Sequence, residues 1–215
     1  SFKSENLKHL GKLKHLEVLH LPPVDVPPAA AAALADLENL RELNLYSNSV
    51  FTGESLKGIK GFPVLTGLAV SSSPISDSGL QAIADAMPML TALELNFGNE
   101  SKSSLTPEGF SRAFSRLEKL TNIKFSGARI TDEWLPHIAQ CEKVNYLMLT
   151  YAQISDEGLR PLMKLPLGYL RLDGTPVTDA VIPVLQTCPT LNSVPVSETK
   201  MTPAGVAKLQ QWLKR

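Results

Sequence analysis

Apolar residues recur along the chain in a block of the form Leu-x-x-Leu-x-Leu, with valine, isoleucine or phenylalanine replacing leucine in places. Eight such blocks begin at Leu16, Leu40, Leu65, Leu90, Leu120, Val144, Leu167 and Leu191. Successive starts are 23 to 25 residues apart, except for one step of 30 residues between the fourth and fifth blocks. A period in this range predicts a stacked array, in which each repeat buries its apolar face against its neighbours.

The second half of each block alternates apolar and polar residues, which predicts a short β-strand whose apolar side chains turn inward. The expected inward pairs are Leu43 and Leu45, Leu68 and Val70, Leu93 and Leu95, Leu147 and Leu149, and Leu170 and Leu172. We expect neighbouring repeats to pair these strands into a parallel sheet.

A serine or threonine follows most strands, and we predict that its hydroxyl caps the next helix. The predicted caps are Ser76, Thr106, Thr131, Ser155, Thr178 and Thr202. Proline follows two of them, at the first helical position, where its missing N–H costs nothing. Aspartate follows the other four, as Asp77, Asp132, Asp156 and Asp179. A carboxylate there stabilises the positive end of the helix dipole by about 0.3–1 kcal/mol, so we interpret these aspartates as capping residues and predict no metal site.

Two cysteines, Cys141 and Cys188, each lie three residues before a block. Other repeats carry apolar residues at this position, namely Leu13, Leu37, Phe62, Met87 and Leu117. The cysteines are two repeats apart, which corresponds to about 10 Å at the strand spacing of about 4.8 Å and exceeds the reach of a disulfide. We predict two free thiols in the core.

Composition and charge argue against nucleic-acid binding and membrane insertion. The 215 residues carry 21 basic and 21 acidic side chains, and the absence of a dense basic run argues against nucleic acid as a partner. No run of about 18 apolar residues exists, so we expect a soluble chain without membrane insertion. No linker interrupts the blocks, which predicts a single domain over residues 1–215 with about eight repeats. Residues 6–15 match only the second half of a repeat, so the first repeat is expected to be truncated at the N-terminus.

The pattern Ile-Ser/Thr-Asp-x-Gly-Leu, together with Cys-Pro-x-Leu-x-x-Val at residues 188–194, resembles the cysteine-containing subclass of leucine-rich repeats. It also resembles a bacterial variant with a repeat near 24 residues, in which threonine ends the strand, as at Thr175 and Thr199, and only Asn48 keeps the asparagine form. The resemblance implies an α/β fold, a right-handed leucine-rich repeat solenoid or ribonuclease-inhibitor-like horseshoe. Its parallel sheet would form the concave face and its helices the convex face. It also implies protein binding without shared catalytic residues.

The outward strand positions of such an array form one surface, which makes them the candidate binding face. All four tyrosines fall in these positions, and two adjacent repeats bring together Tyr146, Met148, Tyr151, Tyr169 and Arg171. Tyrosine and arginine are enriched at interface hot spots, and methionine adapts to irregular surfaces. The alternative is that Tyr146 and Tyr169 only stack across strands and stabilise the sheet.

Five further residues complete the predicted partner-binding set: Tyr46, Glu94, Phe97, Lys124 and Asp173. The charges at Glu94, Lys124, Arg171 and Asp173 alternate in sign along neighbouring strands, which either steers a charged partner or forms a solvated row of ion pairs. Phe97 opens the polar segment Phe97–Leu105, which accounts for the long step between blocks. This segment is expected to form a rim over the binding face, with a tolerated insertion as the alternative.

Catalytic motifs are missing from the sequence. His9, His15, His20 and His137 are scattered, and no HExxH, CxxC, GxSxG, P-loop or GxGxxG motif occurs. The sequence therefore predicts a non-enzymatic protein-interaction module without a cofactor, which binds a protein partner on its concave face. The alternatives are a small-ligand or glycan-binding domain and a structural segment of a larger multidomain protein. No signal assigns a compartment.

Overall fold

The computed structural model describes residues 4–46, 50–59, 61–97 and 103–214. The chain divides into two compact units, Ser1–Leu120 and Thr121–Arg215, which are called the N-terminal and C-terminal units below. The single domain expected over residues 1–215 stays a prediction.

The described residues of the N-terminal unit form parallel strands that pair in chain order: β1 (Val18–His20), β2 (Glu42–Leu45), β3 (Gly67–Ser71) and β4 (Ala92–Asn96). Its α-helices are α1 (Pro28–Ala35), α2 (Asp77–Ala86) and α3 (Pro107–Phe114), and 3-10 helices span Ser4–Lys12 and Glu54–Leu56. Leu43 pairs with Leu68, and Leu68 with Leu93. The sequence period therefore sets the strand register directly.

The C-terminal unit repeats this arrangement with parallel strands β5 (Asn122–Ser126), β6 (Tyr146–Thr150) and β7 (Tyr169–Arg171). Its α-helices are α4 (Leu135–Ile138), α5 (Val181–Leu185) and α6 (Pro203–Leu213), and 3-10 helices span Asp132–Trp134 and Glu157–Lys164. Pro161 lies inside the second 3-10 helix and lacks the N–H that an α-helix requires. The predicted α/β repeat with parallel strands and intervening helices is confirmed.

The inward strand positions form the core in both units, as the alternating pattern predicts. All ten predicted inward residues are at most 3% exposed. Burying one such side chain fully contributes about 1.5–3 kcal/mol, so these positions dominate the stability of the repeats. The position three residues before a block is buried at Leu37, Phe62, Met87, Leu117 and Cys188, but Leu13 is 50% exposed and Cys141 is partly exposed. Leu13 belongs to the first repeat, which has a neighbouring repeat on one side only within the described chain.

Hydroxyl caps begin the helices where the sequence places them, with one exception. The side-chain oxygens of Ser76, Thr106, Ser155 and Thr202 each accept a hydrogen bond at 3.0 Å from the backbone N–H three residues later. Thr178 accepts from the N–H two residues later, at 3.2 Å. The cap predicted at Thr131 is wrong, because its side chain makes no such bond. The N–H of Trp134 bonds instead to the backbone oxygen of Thr131, at 3.1 Å, in a 3-10 turn.

The four aspartates after the caps bind the next repeat. The carboxylate of Asp156 accepts from the backbone N–H and the hydroxyl of Thr178, at 2.8 and 2.7 Å. The same pair of bonds joins Asp77 to Thr106, Asp132 to Ser155 and Asp179 to Thr202. The helix-dipole role expected from sequence therefore understates their function, because each carboxylate fixes the start of the following helix. We call this series the aspartate ladder.

Glycine at the third position after a cap makes room for the ladder. A Cβ atom on Gly158 would lie 2.0 Å from the Oδ1 of Asp132, and one on Gly205 would lie 1.9 Å from the Oδ1 of Asp179. The Gly-Leu end of the repeated motif therefore has a packing reason. The carboxylate of one repeat lies directly against the backbone of the next helix.

Candidate functional site

The candidate site lies on the solvent-facing side of β6 and β7 in the C-terminal unit. Strand register places Tyr146 beside Tyr169 and Met148 beside Arg171. All four residues are half-buried. Together with Tyr151, which follows β6 directly, they are called the tyrosine–arginine patch.

The two strand tyrosines form a parallel stack. The ring centroids of Tyr146 and Tyr169 are 4.4 Å apart, and the ring planes differ by 2°. The hydroxyl of Tyr146 also lies 3.5 Å from the sulfur of Met148. Desolvation, with a smaller contribution from Tyr146, raises the pKa of Tyr169, so its hydroxyl stays protonated at neutral pH. The stack stabilises the sheet and leaves ring edges and hydroxyls as the surface that a partner would meet.

Arg171 is held by a carboxylate on its own chain segment. Its Nε donates to the Oδ2 of Asp173, and that hydrogen bond raises the pKa of Arg171. Asp173 is only 8% exposed, and its Oδ1 accepts from the N–H of Ser197 at 2.7 Å. The predicted alternation of charge across strands is thus replaced, for these two residues, by an ion pair two residues apart.

Tyr151 combines an unusual backbone with a large exposed ring. Its φ is +57°, a left-handed conformation that is costly for a bulky side chain. The same turn position has positive φ in four other repeats, where Ser72, Gly127, Gly174 and Glu198 occupy it. The ring lies over Gly174, where a Cβ atom would come within 2.3 Å of the Tyr151 Cδ1. Since Gly174 covers one side, the 53% exposure of Tyr151 belongs to the opposite ring face and the edge.

The other predicted contacts are dispersed. Lys124, on β5, is half-buried and pairs in register with Met148, so it borders the patch. Glu94, on β4, and Tyr46, which follows β2, lie in the N-terminal unit. Glu94 is half-buried beside Ala69, and Tyr46 is 43% exposed.

Phe97 does not form the exposed rim that the sequence suggested. It is 2% exposed, so its side chain belongs to the core. Residues 98–102 of the predicted rim segment lie outside the described residues. The end of the segment packs inward, since Ser103 is buried and donates from its hydroxyl to the backbone oxygen of Ile75 at 2.6 Å. An apolar side chain at the root of a polar insertion thus gains more from burial than from a place on the rim.

The two thiols are free, as predicted, but their surroundings differ. Cys188 is fully buried. Cys141 is partly exposed, which corrects the expectation of a core position, yet burial of its sulfur raises the pKa of the thiol to about 12. A thiol with so high a pKa is a poor nucleophile at neutral pH, since the thiolate is the reactive form.

Groups suited to metal binding are not gathered in the described part of the chain. Its histidines, cysteines and acidic residues form no cluster of three or more that is arranged to hold a metal ion. His20 instead contacts the side chain of Asn44 at 2.7 Å. Among the described residues, one cavity of about 290 Å³ is lined by residues between Asp25 and Ser55, and another of about 540 Å³ is lined by residues of the segment 194–210, including Ser197.

Sequence reasoning missed the residues that support the patch. Ser197 fixes Asp173 through a backbone N–H, which any residue type provides, so no sequence signal marks it. Gly174 does carry a signal, because glycine recurs at the turn after a block and here clears space for Tyr151. Ser197 lies one repeat beyond Asp173, and Gly174 lies one repeat beyond Tyr151.

Residues 63–84 and 140–163 match the model of the Leucine Rich repeat family. The chain therefore carries leucine-rich repeats in both units, and proteins with this repeat are generally non-enzymatic modules for protein–protein interaction. No curated protein matches the chain in sequence.

Two solved structures resemble the chain in fold. Internalin C2 from Listeria monocytogenes aligns with a TM-score of 0.61 and 19% identity, over 96% of this chain and 88% of the internalin chain. TLR13, solved in complex with ssRNA13, aligns with a TM-score of 0.61 and 18% identity, over 87% of this chain and 26% of the TLR13 chain. At these identities the likeness concerns the fold alone. Among the described residues, no helix is long and apolar enough to cross a bilayer.

Proposed function

We propose that this leucine-rich repeat chain is a non-catalytic interaction module that binds a protein partner through the tyrosine–arginine patch. The patch gathers three tyrosines, a methionine and an arginine on two adjacent strands and the turn after one of them. Such residues contribute most of the binding energy where proteins meet. Rigid strands hold them, so little conformational entropy is lost when a partner docks.

Tyr151 is the single observation that carries this proposal. The left-handed turn recurs in four other repeats, at Ser72, Gly127, Gly174 and Glu198, so this backbone conformation is a property of the repeat. Small or polar residues occupy the position in those repeats, whereas Tyr151 places there an aromatic ring that is 53% exposed. Tyrosine is enriched among the residues that dominate binding energy, and contact with a partner would bury this ring.

The remaining residues of the predicted set have graded roles. Lys124 borders the patch through its register with Met148 and extends it by one strand. Asp173 acts indirectly by holding Arg171. Tyr46 and Glu94 are proposed as contacts of the N-terminal unit. Phe97 is omitted because its side chain is buried.

A protein partner is favoured over a glycan by the tyrosine stack. A sugar ring binds an aromatic side chain face to face, but the facing sides of Tyr146 and Tyr169 already cover each other. Tyr151, which is 53% exposed, is the most exposed ring of the patch and lies outside this stack. Edges, hydroxyls and a guanidinium are better matched to the mixed polar and apolar surface of a protein.

Site-specific photo-cross-linking tests the proposal. The full chain carries p-benzoylphenylalanine in place of Tyr151 or, as control, in place of the exposed Glu157 on the 3-10 helix. Both forms are irradiated in a lysate of the cells that produce the protein. We expect a discrete protein adduct from position 151 that is absent from position 157.

Arginine variants make the assignment specific. Arg171→Ala should reduce the adduct at least tenfold, whereas Arg160→Ala should leave it unchanged. Arg160 is a matched control, because it is an exposed arginine of the same unit and is also paired with a carboxylate, that of Glu157. Equal adducts from positions 151 and 157, or an adduct insensitive to Arg171→Ala, would contradict binding through the patch.

A further inference from the structure

The guanidinium of Arg171 is immobilised before any partner arrives. Its Nε is bonded to the Oδ2 of Asp173, and the Oδ1 of the same carboxylate is bonded to the N–H of Ser197. Asp173 is 8% exposed, so the carboxylate lies in the sheet surface rather than in solvent. Two groups, the Asp173 carboxylate and the Ser197 N–H of the next repeat, therefore hold the guanidinium of Arg171 in place.

The two terminal nitrogens of this arginine are unused. Among the described residues, neither Nη1 nor Nη2 of Arg171 donates a hydrogen bond, and the side chain is 42% exposed. A guanidinium held through Nε presents its Nη atoms as a planar fork. That fork matches the two oxygens of a carboxylate in a bidentate pair.

An apolar surface adjoins the fork. Met148 lies beside Arg171 in strand register, which corresponds to about 4.8 Å, and Tyr169 precedes Arg171 by two residues on the same face, at about 7 Å. These spacings match side chains two residues apart in an extended peptide or three to four apart in a helix. One ligand segment can therefore reach the fork and the apolar surface together.

We propose that Arg171 is the receptor for an aspartate or glutamate carboxylate of the protein partner, with an apolar partner side chain seated against Met148 and Tyr169. This assignment rests on the proposed function and names the chemistry of the ligand. Asp173 and Ser197 are positioning residues that act through Arg171.

Local charge favours a carboxylate over a phosphate. The Asp173 carboxylate offsets the charge of Arg171, so the site offers directed hydrogen bonds more than net positive potential. Phosphate and nucleic acid binding draw on several cations at once, whereas a single monovalent carboxylate needs one fork. The zero net charge of the chain agrees with this choice.

Peptide display on the immobilised full chain tests the inference. A library of random 12-residue peptides is selected on the wild-type protein, and one enriched peptide is synthesised for affinity measurements. We expect enriched sequences to contain aspartate or glutamate two to four residues from an aromatic or aliphatic residue. Arg171→Lys should weaken the peptide at least tenfold, because lysine keeps the charge and loses the fork, whereas Arg160→Lys should change nothing.

A double-mutant cycle ties the acid to the arginine. Changing the acidic residue of the peptide to its amide should also cost at least tenfold against wild type and cost nothing further against Arg171→Lys. An unchanged urea midpoint for Arg171→Lys confirms that the variant is folded. Peptides that are lost with Tyr169→Ala but tolerate Arg171→Lys would overturn the carboxylate assignment and leave the proposed function standing.

The other possible outcomes of these experiments also contradict one or both proposals. Peptides insensitive to both Tyr169→Ala and Arg171→Lys would overturn the proposed function together with this inference, as would the absence of any enriched peptide. A phosphoserine in place of the acid that binds tenfold more tightly would assign the fork to phosphate and overturn the carboxylate assignment.

Discussion

The carboxylate of Asp156 holds both the backbone N–H and the side-chain hydroxyl of Thr178, 22 residues further along the chain. Two hydrogen bonds to one charged group link successive repeats on their helical side, while the strands link them on the other. The repeats are therefore joined at two separated places, which restricts how one repeat can tilt against the next.

Removing a carboxylate of the aspartate ladder should destabilise the protein. Asp156→Ala leaves the partly buried N–H and hydroxyl of Thr178 without their acceptor, and hydrogen bonds to charged groups contribute about 1.5–3 kcal/mol. We expect the free energy of unfolding in urea to fall by about 2 kcal/mol. Glu157→Ala is the control, because among the described residues this exposed neighbour pairs with Arg160 alone, and a solvent-exposed ion pair adds little to stability, so the value should stay nearly unchanged. Equal losses would argue against the ladder.

The aspartate ladder also predicts that a larger residue in place of Gly158 destabilises the protein. Gly158→Ala places a Cβ atom 2.0 Å from the Oδ1 of Asp132 and should cost about 1–3 kcal/mol through overpacking. Gly168→Ala is the matched control, since its Cβ atom would meet nothing closer than 3.6 Å. In the double variant Asp132→Ala/Gly158→Ala the clash disappears. Its loss of stability should therefore be smaller than the sum of the losses of the two single variants. Additive losses in urea unfolding would contradict the close approach.

The contribution of Asp179 to the stability of the folded protein should depend on pH. Hydrogen bonds from the hydroxyl and the backbone N–H of Thr202 lower the pKa of Asp179 in the folded protein. A carboxyl whose pKa is lowered by folding adds stability above its unfolded pKa of about 3.9, and that stability is lost as the pH falls through the folded value. We expect Asp179→Asn to be less stable than wild type at pH 7 and the difference to shrink below about pH 4.

Urea titrations at a series of pH values measure this difference. Wild type and Asp179→Asn are unfolded side by side at each pH. A difference that stays constant with pH would mean that folding leaves the Asp179 carboxyl unperturbed.

Tyr151 should separate binding from stability. Tyr151→Gly removes the backbone strain and adds chain entropy to the unfolded state, so the free energy of unfolding should stay within about 1 kcal/mol of wild type. The same change at Tyr169 removes a stacked ring from a regular strand and should cost about 2 kcal/mol. Capture of the protein partner should nevertheless fall at least tenfold with Tyr151→Gly. Full binding of the partner by Tyr151→Gly would show that the exposed ring does not contribute to partner binding.

The thiols should react slowly in the folded protein. Burial raises the pKa of Cys141 to about 12, and Cys188 is fully buried, so little thiolate is accessible at pH 8. Titration with an aromatic disulfide reagent should find two thiols per chain in denaturant and react at least 100-fold more slowly without it. Free cysteine provides the reference rate. Fewer than two thiols in denaturant, without prior reduction, would reveal a disulfide.

Much of the fold is predictable because its information is local. Alternation over six residues identifies the buried strand positions Leu147 and Leu149, and a hydroxyl before an aspartate or proline identifies the start of a helix. The local rule fails at Thr131, where a 3-10 turn uses the N–H that the cap requires, and at Phe97, whose side chain is buried although the segment that it opens is polar.

The sequence by itself determined the repeat period, the parallel strands, the inward residues and the outward columns that contain the tyrosines. Tertiary structure alone decided that the aspartates bind the next repeat, that Asp173 and Ser197 fix Arg171, and that Tyr151 lies over Gly174. The physical reason is the range of the contacts. Periodicity reports which face of a segment is buried, whereas a hydrogen bond between residues more than 20 positions apart exists only once stacking has fixed the register of neighbouring repeats.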